Sequence, residues 1–207
     1  MAFPAYFEQI PPITLHDPLA ELLGAAEGGL IEYHFADAVK LAGHACPTVA
    51  AAWLMSRHAL RTLYGEDTPV RGQIAVALGE PQNSGVAGVM ASIATLLTGA
   101  AGEGGFKGLG GQHGRRDLLQ FGVQGASTLS FTRLDTNLAV DCEIRLNSVP
   151  PDPRLMDLLT QVVRGQADSA ARQLFRTLWQ DRVRRILVEH ADNPALVSCR
   201  QRPDVAS

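Results

Sequence analysis

Residues 35–54 read FADAVKLAGHACPTVAAAWL, and Cys46 and Pro47 near their middle decide how the chain folds there. Apolar or small side chains recur at Phe35, Ala38, Ala42, Val49, Trp53, Ser56, Leu60 and Leu63. Their spacing is the threes and fours of an amphipathic helix, with one longer step around Pro47. A proline inside a helix removes a hydrogen bond and collides with the preceding turn, whereas at the first helical position it costs nothing. The stretch therefore predicts two helices that meet at Cys46-Pro47.

Downstream, Ile74, Val76 and Leu78 alternate with Gln73, Ala75 and Ala77, the period of a strand with one apolar face. Asn83 or Ser84 is then placed to cap a helix carrying Val86, Val89, Ile93, Leu96 and Leu97, and Gly99 to end it. Residues 99–114 hold eight glycines in sixteen, too many for a regular element, and predict a loop that approaches something closely. Strands are expected over 118–123, 127–134 and 138–146, the last two joined by a tight turn at Asp135-Thr136-Asn137. Upstream, Pro4, Pro11, Pro12 and Pro18 predict an irregular arm to Gly29 with one short helix over 18–25. Pro150, Pro151 and Pro153 stop the sheet, and helical periodicity follows over 154–164 and 168–190. The fold class expected is α+β. It divides into a core with its N-terminal arm, 1–150, and a helical C-terminal appendage with a polar tail, 151–207.

A chain of 207 residues with 46% hydrophobic and 19% charged content has the make-up of one ordinary globular domain. Its net charge of −3 offers no general attraction for nucleic-acid phosphates or anionic lipid, so neither is expected as a partner. No apolar run approaches the length of a bilayer span, and residues 1–12 lack the basic start and apolar core of a secretory signal. A cytoplasmic protein is expected. Cys46, Cys142 and Cys199 are odd in number and widely spaced, which suggests neither a disulfide framework nor a zinc knuckle.

Chemistry is expected first at Cys46, where the open amides and positive end of a helix favour thiolate over thiol. His44, two residues earlier, adds an imidazole and completes a mixed sulfur and nitrogen pair suited to zinc or another borderline metal. The bland alternative has His44 in a turn and Cys46 packed as a small apolar residue. Cys142 alternates with Val140 and Ile144 and is expected in the core, while Cys199 falls in the polar tail. His34 precedes the first helix and is a candidate to line a pocket beside the turn. His58 and His190 are expected in surface or capping roles, and the arginines at 172, 176, 182, 184 and 185 on a solvated helix face. Lys107, Gln112 and Arg115, with Glu103, Arg116 and Asp117, make the glycine-rich loop a second candidate ligand site. That loop precedes a strand and lacks a Gly-Lys-Ser/Thr ending, so it does not read as a phosphate loop.

The stretch at 35–54 resembles the opening signature of the FmdE-like family, which takes its name from one component of formylmethanofuran dehydrogenase and in which a Gly-His-x-Cys-Pro turn sits between helices. The stretch TGAAGEGGFKGLGGQHGRRDLLQFG, residues 98–122, is similar to that family's glycine-rich turn and following strand. The resemblance runs from about Glu32 to Leu146. It implies a core in the order helix, strand, helix, then three strands in a mixed sheet, often dimeric, with a transition metal near the turn. It does not imply dehydrogenase activity, because in that complex the redox chemistry belongs to other components. The implied ligands are His44 and Cys46, with Gly43 and Pro47 shaping the turn. Ala42 stands where many relatives have a further histidine, so His113 at the end of the loop is expected as the third ligand. The leading expectation is a homodimeric, FmdE-like protein that binds a transition metal, zinc foremost, or a small ligand. Two others stand beside it: a cysteine enzyme with Cys46 as nucleophile or redox thiol and His44 or His113 as base, and a haem protein with Cys46-Pro47 at the iron.

Overall fold

The structure, a computed structural model, describes residues 2–202. The elements run in the order β1 (Ile13–His16), α1 (Pro18–Leu22), β2 (Leu30–Tyr33), α2 (Phe35–Ala42), α3 (Pro47–Tyr64), β3 (Ile74–Ala77), α4 (Ala87–Thr98), β4 (Leu119–Gln120), β5 (Leu129–Arg133), β6 (Ala139–Ile144), α5 (Leu155–Val163), α6 (Ser169–Arg184) and β7 (Val197–Gln201). Strands β1 and β2 form a small antiparallel ribbon, and the other five form a mixed sheet ordered β4-β3-β5-β6-β7. Within that sheet β3 and β4 are parallel, and the remaining pairs are antiparallel. The fold is α+β.

Helix α3 is the centre of the molecule. Pro47 occupies its first turn and Gly65 follows its end, and Val49 through Arg57 are all buried. A helix that is apolar on most of its circumference must be covered on most sides. Its run Ala50-Ala51-Ala52 lets α4 approach closely, since α4 brings Ala87, Ala91 and Ala94 to the core. The opposite side lies on β5, β6 and β7, where Leu129, Phe131, Val140 and Cys142 face inward. Trp53 is fully buried and meets the Phe35 ring edge-on at 5.8 Å, which ties α2 to α3. Full burial of such a side chain is worth about 3 kcal/mol.

The expected pair of helices meeting at Cys46-Pro47 is present, as are β3, α4 and the β5–β6 hairpin, whose turn places Asn137 at φ 58°. Other expectations need correction. The N-terminal arm is not irregular, because β1 lies between two prolines and pairs with β2 in register from Ile13↔Tyr33 to His16↔Leu30. Helix α4 starts at Ala87, past Asn83 and Ser84, with no side-chain cap. The strand expected over 118–123 shrinks to Leu119–Gln120, since the chain turns at Gly122 with φ 68°.

The C-terminal segment is no mere helical appendage. Strand β7 completes the sheet against β6, and Arg182 in α6 donates to the carbonyls of Val149 and Leu146. Residues 203–207 of the expected polar tail lie outside the described residues. Cys199 sits directly opposite Cys142 in the β6–β7 register, and the two form a disulfide, contrary to the expectation of separate thiols. Their sequence separation of 57 hid a pairing that only the β7 register reveals. Among the described residues no helix is long and apolar enough to cross a membrane.

Candidate functional site

Helix α2 ends at Gly43, whose left-handed φ of 76° lets its N–H close onto the Val39 carbonyl and turns the chain toward α3. His44 follows on the surface, its Nδ1 lying 2.8 Å from the Ala42 carbonyl. A carbonyl only accepts, so Nδ1 is the donor and Nε2 is left as the ligand-facing nitrogen. Metal-binding histidines are oriented in this way, with the far ring nitrogen held by a backbone oxygen. Cys46 is 8% exposed and stands at the N-cap of α3, where its Sγ accepts the Val49 N–H at 3.5 Å.

Between them, the Ala45 carbonyl points the other way. It accepts the Trp179 Nε1–H at 2.9 Å and the Gln180 amide at 3.4 Å, both from α6. Gln180 in turn accepts the Tyr6 hydroxyl at 2.8 Å, so the N-terminal arm and α6 close together beside the turn. Helix α6 thus covers this end of α3.

The glycine-rich loop goes elsewhere. Arg115 is buried, and its Nη2 donates to Asp17 Oδ1 at 2.6 Å, while Arg71 Nη1 donates to Asp17 Oδ2 at 2.9 Å. Asp17 also accepts the Leu19 and Ala20 N–H groups at the start of α1. Burial opposes the charge on Asp17, but the Arg71 hydrogen bond and the Arg115 charge prevail and hold its carboxyl below the usual range. Gly72, at φ 85°, makes room for this contact: any Cβ there would collide with the Arg115 guanidinium. Arg115 is therefore a fastener between loop and arm.

Gln112 and His113 line a shallow cavity of about 420 Å³ with Pro18, Gly72, Gln73, Leu118 and Leu134, and His113 adopts a left-handed φ of 59°. Lys107 is exposed. Among the described residues no three His, Cys, Asp or Glu side chains converge into a metal-holding group, so His44, Cys46 and His113 do not come together as three ligands. The polar loop docks on the arm through Asp17, and this draws His113 to the Gly72 cavity. His34 is at the N-cap of α2, its N–H bonded to Asp37 Oδ2 at 2.9 Å and its ring 2.9 Å from Glu32. That is a capping role.

Asp17, Arg71 and Trp179 escaped sequence reasoning, since a lone aspartate before a proline and a tryptophan on a polar helix carry no chemical signature by themselves. No protein-family model matches the chain, and no curated protein matches it either.

Proposed function

We propose that the chain is a binding protein of the FmdE-like kind, in which His44 Nε2 and Cys46 Sγ supply two ligands to a borderline cation, zinc foremost, and it is not itself a dehydrogenase. The observation that carries this reading is the Ala42 carbonyl holding His44 Nδ1, two residues before a cysteine fixed at the first turn of α3. That arrangement spends one ring nitrogen on orientation and leaves the other for coordination.

A histidine nitrogen and a cysteine sulfur are two of the four ligands that a tetrahedral zinc site takes. The remaining positions belong to a second copy of the chain, consistent with a homodimer, or to a small ligand bound through the metal. When bound, the cation polarises whatever oxygen or nitrogen group completes its shell; the protein's own part is to hold the imidazole in one tautomer and to keep the thiol partly out of water.

Cobalt(II) titration tests this reading. A thiolate-to-cobalt absorption should rise to saturation in the wild type, vanish in Cys46→Ala and weaken in His44→Ala. Its absence in folded wild-type protein would dismiss the metal reading.

A further inference from the structure

At the other end of α3 lies a groove of about 360 Å³, bounded by the Pro11–Thr14 arm, the last turns of α3 and Asp192. Arg57 is eleven residues from Cys46, about 16 Å along the helix, so the groove is separate from the turn described above. The Arg57 side chain is only 9% exposed, and its Nη2 donates to Asp192 Oδ1 at 2.8 Å and to the Ala191 carbonyl at 3.3 Å. Its Nε is buried with no hydrogen-bond partner among the described residues. A buried charged donor left unpaired is costly, and since this atom has no accessible surface, a ligand that takes the place of Asp192 meets Arg57 at Nη2. One turn on, Arg61 is 67% exposed and reaches the same Asp192 oxygen at 3.4 Å.

Asp192 is thus a carboxylate lying across two arginines while itself 67% exposed. It demonstrates that the pair accepts a planar oxyanion, and its exposure makes it displaceable. Pro11, Pro12, Leu60 and Pro69 give the groove an apolar side next to the charged one. Arg57 and Arg61 are balanced by Asp67 and Asp192 around the rim, so the groove carries no net positive charge: a singly charged anion is received only where it takes the place of the Asp192 carboxylate on the arginines, and a multiply charged one is repelled.

We infer that this groove is a binding site for a small apolar monocarboxylate, its carboxylate received by Arg57 and Arg61 in competition with Asp192 and its apolar body lying on the prolines. His58, whose Nε2 bonds the Ala191 carbonyl at 2.7 Å, is kept neutral by burial and the neighbouring Arg57 charge, so it adds no third cation beside Asp192 at neutral pH.

The test is a titration of the full chain with octanoate, followed by amide chemical shifts, with acetate as the short comparator. Because Arg57 is buried and its removal endangers folding, the variants are made at exposed positions. Saturable octanoate binding should weaken at least about fivefold in Arg61→Ala, where a charge-assisted contact is lost. It should tighten in Asp192→Asn, where the internal competitor is gone, and acetate should bind more weakly than octanoate. No saturable octanoate binding, an affinity unchanged in both variants, or acetate binding as tightly as octanoate would overturn the inference. Since neither His44 nor Cys46 is altered, the outcome is independent of whether the turn binds metal.

Discussion

The indole Nε1–H of Trp179 donates to the carbonyl of Ala45 at 2.9 Å, and this bond, the shorter of two that α6 makes to that carbonyl, holds the helix over the turn that carries Cys46. It explains how a cysteine at an exposed loop between two helices is itself only 8% exposed. Trp179→Phe keeps most of the packing and removes the donor. The loss of about 1 kcal/mol should make the Cys46 thiol react roughly fivefold faster with a disulfide reagent. An unchanged rate would mean that α6 does not guard the turn.

Asp17 is shared by Arg71 and Arg115, and Asp17→Asn leaves the buried Arg115 and the half-buried Arg71 without their counter-ion. Removing one partner of a buried ion cluster costs about 3 kcal/mol or more, which urea unfolding at pH 7 would measure. The pH dependence has a definite sign. The folded carboxyl titrates below its unfolded value, so the stabilisation is complete above the unfolded value and disappears as pH falls through the folded one. Wild type should therefore lose stability below about pH 4 more steeply than Asp17→Asn.

Gly72→Ala should be destabilising out of proportion to one methyl group. The new Cβ would meet the Arg115 guanidinium, and the left-handed φ of 85° adds backbone strain. A loss of about 2 kcal/mol or more is expected, with Arg115→Ala relieving the clash in the double variant. Additive losses would show that the two residues do not collide.

The Cys142–Cys199 disulfide should leave one reactive thiol per unfolded, unreduced chain, namely Cys46. Closing a loop of 57 residues is worth about 4 kcal/mol in the chain-entropy picture, so Cys199→Ser or reduction should lower Tm markedly. Three titratable thiols in denatured, unreduced protein would contradict the pairing.

Much of the central fold was legible in the sequence because it is local. Pro47 breaks one apolar stripe into two helices, and Ile74-Ala75-Val76-Ala77 alternates as a strand must. What escaped depends on partners far along the chain. Ile13–His16 is four residues between prolines, and only its pairing with Leu30–Tyr33 makes it a strand. Val197–Gln201 turns just two apolar-facing side chains, Val197 and Cys199, to the core side, so its polar residues masked an edge strand. The site was legible to the same extent: Gly43 to Pro47 form the expected turn, whereas the destination of the glycine-rich loop was set by Asp17, 98 residues before Arg115, and this took His113 to the Gly72 cavity.

The central claim is that His44 and Cys46 hold a cation together. Elemental analysis of protein purified without a metal-affinity tag, wild type beside His44→Ala and Cys46→Ala, tests it most directly. The account predicts zinc or a similar cation near one per chain, or one per two chains if a second copy completes the shell, with the metal lost in both variants. Folded wild-type protein that carries no metal, even after incubation with zinc, or variants that retain it fully, would contradict the account.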